Sequence, residues 1–296
     1  GYPAEFYNTN VNIINRELGI FLLCNADDSI IENVTIKGNP LIKNNGIFSS
    51  YSDRILFNNV TSDNNFFGLR LQNSHSNTVI NTFFRDNKFD DFLFYPVFRN
   101  SNNINLGSSN ICSHTFDITL TDSEKVVFMN SLNSSEVYNN IESNKVILCD
   151  VDDATFNNLS ILSNINNNGG LYIFNSDNNI FNNITSNNNY RGTYIDNSHN
   201  NIFQNSNFNN NYLDGFHLLR SNNLSINFTN FTENGHYGIY NEDFTSNNLS
   251  LLNSIFTNNK RFYHMDQDYY YIDRPTPKAD LFLEGDNSEI FSNKFI

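Results

Sequence analysis

The sequence predicts an all-β fold: a single-stranded right-handed parallel β-helix, or solenoid, of about 11–12 coils with about 22–28 residues and three short strands in each. Three observations carry this. Glycines recur at a nearly fixed interval and open alternating apolar segments. An apolar stretch around one asparagine precedes each of those segments, and a turn of the Ser-x-Asn type follows it. Asparagine, which tolerates the left-handed backbone of tight turns, makes up about one residue in five.

The phase is set by Gly170, Gly192, Gly215 and Gly238, at intervals of 22, 23 and 23 residues. Each opens an alternating run, such as Gly170-Leu-Tyr-Ile-Phe174 and Gly215-Phe-His-Leu-Leu219. Gly46 and Gly68 open similar runs, Asp91, Asp117, Lys145 and Asp280 begin equivalents without the glycine, and Gly19-Ile-Phe-Leu-Leu23 starts the series. The second marker centres on Asn33, Asn59, Asn81, Asn130, Asn158, Asn183, Asn205 and Asn253. The third is the turn after each glycine run, as in Ser176-Asp-Asn-Asn179 and Ser198-His-Asn-Asn201. A unit this short cannot bury its own apolar face, so neighbouring units must stack. Strands one coil apart then run parallel, and like amides bond along the stack. Asn183 and Asn205 are expected to be buried in such a ladder.

Within each glycine run, alternation assigns faces. Leu171, Ile173, Phe216, Leu218, Val146, Leu148, Leu281 and Leu283 are expected inside. Phe21, Leu23, Phe48, Leu93, Tyr95, Ile147, Phe174, Leu219 and Phe282 are expected outside, with Tyr172, Tyr194, His217 and Tyr240 as one outward row. Residues 1–296 are expected to form one domain, interrupted at 261–279 by an extruded aromatic and acidic loop. That segment carries two of the five prolines.

Asp and Glu number 31 against 17 Lys and Arg, a formal net charge of −14, which argues against a nucleic-acid partner. No apolar run is long enough to span a membrane as a helix. The three cysteines, Cys24, Cys112 and Cys149, form no metal-ligand spacing. The chain opens on Gly1 rather than Met, which is expected of a processed or partial product. The expected location is extracellular, at a cell surface.

The run Asn178-Asn-Ile-Phe-Asn-Asn-Ile-Thr-Ser-Asn-Asn-Asn-Tyr-Arg-Gly192 resembles the short repeats of NosD-like and related archaeal or bacterial surface proteins, within the wider pectate-lyase-like superfamily. The resemblance extends over nearly the whole chain. It implies the fold, and it leaves activity open, because that superfamily includes lyases, hydrolases, adhesins and purely structural stacks.

Two functional classes follow. The first is an extracellular structural or adhesive solenoid whose main partner is itself. Such a chain would polymerise end to end, near Phe291 and Phe295, and laterally through its outward aromatics. The alternative is a carbohydrate-binding or polysaccharide-cleaving β-helix, including the tail-spike type, with cell-surface glycans as partners. For binding, Tyr172, Tyr194, His217, Tyr240 and the loop residues Tyr269, Tyr270 and Tyr271 offer rings for sugars or for a protein partner. For catalysis, Asp196 and Glu242 share one phase position two coils apart, with His217 between them. Two carboxylates so spaced suit inverting glycoside hydrolysis. No cofactor is expected: Asp150, Asp152 and Asp153 offer oxygen ligands that calcium could use, but they lack a calcium-binding motif and read first as a solvated turn. Among the Asn-x-Ser/Thr sequons, Asn133 and Asn223 fall on turns and read as glycan acceptors. Asn33, Asn59, Asn158 and Asn183 fall on the expected inward ladder, where a glycan does not fit.

Overall fold

The structure is a computed structural model and describes residues 2–39, 45–85, 87, 90–95, 112–118, 126–130, 136–162, 170–241, 246–259, 281–282 and 289–295. The chain forms two compact units, Gly1–Asn130 and Ser131–Ile296. Both are all-β stacks of parallel strands.

In the first unit, one sheet runs in the order Ala4–Tyr7, Ile20–Cys24, Asn45–Ser50, Phe67–Gln72 and Asp90–Tyr95. The other contains Asn12–Leu18, Ile30–Lys37, Leu56–Asn58, Thr61–Asp63, Thr78–Arg85 and Thr115–Ile118. The three expected strands per coil merge to two wherever a strand continues through its central asparagine, as Ile30–Lys37 does through Asn33. In the second unit the three strands stay separate. The glycine sheet stacks Lys145–Cys149, Gly170–Phe174, Thr193–Asp196, Phe216–Leu219, Ile239–Asn241 and Leu281–Phe282. A second sheet runs from Val137–Asn139 to Glu289–Phe291, and a third from Glu142–Ser143 to Lys294–Phe295.

Asparagine earns its abundance at the bends. One coil places Asn175, Asn178, Asn183 and Asn188 at φ 46°, 59°, 57° and 58°, and the next places Asn197, Asn200, Asn205 and Asn210 at 49°, 56°, 53° and 55°. Four left-handed residues per coil close the chain on itself, and among non-glycine residues asparagine enters that region at the least steric cost. The Asp-rich turn obeys the same rule: Asp150 and Asp153 occupy two of these bends at φ 50° and 57°. Asp152 accepts the backbone N–H of Asp177 from the next coil at 2.7 Å. The aspartates proposed for calcium thus shape and cap the turn.

The buried ladders are not the expected ones. Asn33, Asn59, Asn158, Asn183 and Asn205 are exposed at their bends. The amides still bond along the stack, Asn183 Nδ2 to Asn158 Oδ1 at 2.7 Å and Asn205 Nδ2 to Asn182 Oδ1 at 3.0 Å. The buried rungs come from the Ser-x-Asn turns. Asn201 Oδ1 accepts the Asn179 backbone N–H at 2.9 Å, and Asn201 Nδ2 donates to the Ser176 carbonyl at 2.8 Å. A second buried column links Asn189, Asn211, Asn234 and Asn259 in the same way, at 3.0–3.1 Å from backbone N–H to amide oxygen. Between strands run rings. Tyr138, Phe156, Phe181 and Phe203 stack at 5.1, 5.1 and 4.4 Å, and Phe208, Phe231 and Phe256 at 5.7 and 4.9 Å. Such stacks add to the hydrophobic burial of the core.

Leu171, Ile173, Phe216, Leu218, Val146 and Leu148 are buried as expected, whereas Leu281 is half-buried and Leu283 lies outside the described residues. The outward assignment fails for Phe21 and Leu23, which are buried. Phe21 pairs with Ile47, so Gly19 stands one residue ahead of the repeat's phase and every side chain of that strand is turned over. Ile147 and Phe174 are on the outward face yet buried as well. Phe48 and Leu219 are half-buried, and the side chains of Leu93, Tyr95 and Phe282 lie outside the described set.

Candidate functional site

The glycine sheet of the second unit brings strand and turn residues together. Its close stacking depends on the phase glycines: a Cβ on Gly192 would lie 2.4 Å from the Gly215 carbonyl oxygen, and one on Gly215 2.6 Å from that of Gly238. In register on adjacent strands stand Tyr172, Tyr194, His217 and Tyr240. Their ring centroids follow one another at 6.2, 5.2 and 5.0 Å. The expected row therefore exists. The three tyrosines are half-buried, and His217 is buried at 4 % exposure.

The turns leading into these strands supply what the strands lack. Asp214, buried, precedes Gly215 and accepts from His217 Nδ1 at 3.1 Å, from His236 Nδ1 at 2.8 Å and from the Tyr237 backbone N–H at 3.2 Å. Arg191 Nε lies 3.8 Å from the same carboxylate. Burial alone would raise the Asp214 carboxyl, but the hydrogen bonds and charges of the two imidazoles outweigh it and hold the group well below the usual carboxylate range. Each Nδ1 is thus the donor to the carboxylate, which leaves Nε2 as the ring nitrogen that can exchange a proton with a bound molecule.

Cations flank the rings. The Arg191 guanidinium lies 5.5 Å from the centroids of both Tyr190 and Tyr194, and Lys145 Nζ lies 5.6 Å from that of Tyr172. Burial works against the charge on Arg191, but Tyr190, Asp214 and Tyr194 more than offset it and raise its pKa. His236 also packs against Tyr237 and Tyr240, at 4.0 and 5.7 Å between ring centroids.

The proposed carboxylate pair fares differently. Asp196 is fully buried and receives Arg220 Nε at 2.8 Å and Nη2 at 2.6 Å, a bidentate pair that holds the turn after its strand. Glu242, Tyr269, Tyr270, Tyr271 and Asn133 lie outside the described residues. Asn223 is exposed, at φ 57°, and its amide continues an outer ladder between Asn200 and Asn248, at 2.9 Å on each side. Sequence reasoning assigned His217 but missed Asp214, Arg191 and His236. The available signal was Asp-Gly-x-His, with an acid on the turn and a histidine two residues into the strand.

The family model described as "Right handed beta helix region" matches residues 130–276. No curated protein matches the chain. Among solved structures, the chain is similar to the A-module of the mannuronan C-5 epimerase AlgE6 of Azotobacter vinelandii, at 12% identity over 99% of this chain and 79% of that one, TM-score 0.37. It is similar to a double mutant of the periplasmic alginate epimerase AlgG at 12% identity, covering 97% and 78%, TM-score 0.33. It is also similar to HetL, a pentapeptide repeat protein of the cyanobacterium Nostoc, at 10% identity, covering 99% and 90%, TM-score 0.18. The parallel register of its sheets and the match over 130–276 together give the fold: a right-handed parallel β-helix.

Proposed function

We propose that the glycine-sheet face of the second unit binds an extended carbohydrate chain, with the Asp214-anchored histidines as its acid–base pair. The observation that carries this reading is the placement of His217 between Tyr194 and Tyr240, with Asp214 fixing its tautomer from beneath. Successive rings at the spacing of stacked strands offer one platform per coil to a chain running along the stack. A solenoid serving only as a rigid or filamentous surface element has no need of a buried carboxylate that orients two imidazoles, so the face favours the carbohydrate class over that role.

The test is binding of the intact chain to a panel of neutral and acidic polysaccharides by affinity electrophoresis and calorimetry, followed by assays for new reducing or unsaturated ends. The expected result is retention by at least one polysaccharide, weakened about tenfold or more in Tyr194→Ala, a loss of about 1.4 kcal/mol or more. Turnover lost in His217→Gln with binding kept assigns the histidine to chemistry. Absence of binding across the panel, or binding indifferent to Tyr194→Ala, overturns the reading.

A further inference from the structure

In the first unit, one rung of the buried asparagine ladder is a histidine. The ordinary rung is set by Asn77: its Oδ1 accepts the Ile55 backbone N–H at 2.8 Å, and its Nδ2 donates to the Ser52 carbonyl at 3.2 Å. One coil on, the Asn77 backbone N–H itself donates, at 3.0 Å, to Nδ1 of His114. The same ring makes a hydrogen bond to the backbone of Ser74, and Ser74 is the counterpart of Ser52 in the stack, its Oγ accepting the Ser52 N–H at 3.1 Å. His114 thus takes the place of a ladder asparagine, its Nδ1 accepting the main-chain N–H where the amide oxygen otherwise would. The Ser113 hydroxyl beside it accepts the Ser76 N–H at 3.0 Å, and the Asn77 carbonyl accepts the Thr115 N–H at 2.9 Å, completing the junction.

An amide and an imidazole are equivalent here only while the imidazole is neutral. A main-chain N–H can only donate, so His114 Nδ1 must keep its lone pair. A proton on that nitrogen sets two donors against each other 3.0 Å apart in a site where the ring is 2 % exposed. Among the described residues, the titratable groups that face His114 are His75 and Asp53. Asp53 is already engaged, its Oδ1 accepting from His75 Nδ1 at 3.0 Å and from the His75 backbone N–H at 2.7 Å.

We propose that His114 is an acid-sensitive rung: protonation of its ring breaks the junction between the Asn77 turn and the strand Thr115–Ile118 and opens that side of the first unit, while the asparagine rungs of the second unit hold. Burial, then the charge of His75, lowers His114 from the usual 6.5 to about 4. The sign follows from this depression. The unfolded ring takes its proton first, so the rung's contribution is fully present above about pH 6.5 and is lost as pH falls toward about 4.

The experiment is amide exchange on the full chain, expressed as protection factors corrected for intrinsic rates, between pH 7 and pH 4. The Asn77 amide is expected to lose about tenfold in protection per pH unit below about 6.5, the slope of one linked proton. The Asn179 amide, bonded to an asparagine rung, serves as the internal control and is expected to hold. His114→Asn, which restores the ordinary rung, is expected to flatten the Asn77 profile. A His114→Asn profile as steep as the parent's overturns the proposal. Should that variant not fold, NMR titration of the His114 ring in the parent chain decides: a ring that becomes charged while Asn77 protection is unchanged overturns it equally.

Discussion

At the residue scale, backbone handedness explains the composition. Bends that most coils fill with asparagine are held by Tyr51 and Arg54 in one coil of the first unit, at φ 48° and 55°, and by Arg220, Phe228 and Glu233 in one coil of the second, at φ 49°, 49° and 54°. The latter coil also begins with Asp214 and His217, so part of the backbone strain lies beside the candidate site. Phe228 is 59 % exposed, so its ring contributes little burial to offset the strain. Phe228→Asn is expected to stabilise the chain by about 1 kcal/mol, read as a higher urea midpoint with unchanged slope. A lower midpoint would show that the ring makes contacts that outweigh its backbone. The sequence made the abundance of asparagine legible, but not which of its positions are wet. In Phe181-Asn-Asn-Ile184 both apolar residues are buried three positions apart, because the left-handed Asn183 turns the chain between them. Simple alternation cannot count through such a bend.

At the scale of elements, columns of side chains bind the coils. Asn179, Asn201, Asn211, Asn234 and Asn259 each satisfy one main-chain donor and one main-chain acceptor of the preceding coil, whereas the exposed columns bond only amide to amide beside water. Asn201→Leu orphans the Asn179 N–H and the Ser176 carbonyl and is expected to cost about 1–3 kcal/mol for each group. Asn205→Gly keeps the left-handed bend and gives up one exposed hydrogen bond, so its cost is expected to stay below about 1 kcal/mol. Paired urea denaturations measure both, and equal costs would remove the distinction between the two kinds of column. The repeat phase was readable from Gly170 through Gly238 because Gly170, Gly192 and Gly215 each meet a carbonyl of the next coil. Gly19 has the same letter without the same register, and the faces of Phe21 and Leu23 were misassigned for that reason. The aromatic row was legible because strands alternate. Asp214, Arg191 and His236 were not, since a turn has no period that tells where its side chains point.

At the scale of the whole molecule, stability is close to a sum of coil energies and nearest-neighbour terms. The acidic balance, −14 overall, sets the background against which Lys145, Arg191, His217 and His236 gather on one face of the second unit. Because each rung asks of the coil above what it offers to the coil below, any two coils of the same phase are acceptable neighbours. Excision of Asn175–Asp196, a block of 22 residues, would join Phe174 to Asn197. Asn197 is already the stacking counterpart of Asn175, the two amides bonding at 2.8 Å. The shortened chain is expected to fold with its strand content intact by circular dichroism and to lose the Tyr194 platform. Excision of half a block would bring inward and outward positions into the same column and is expected to give an insoluble product. A gene encoding such a protein can therefore lengthen or shorten by whole repeats, its reading of one coil serving as the template for the next. The stack's length becomes a heritable quantity that varies in steps of one coil.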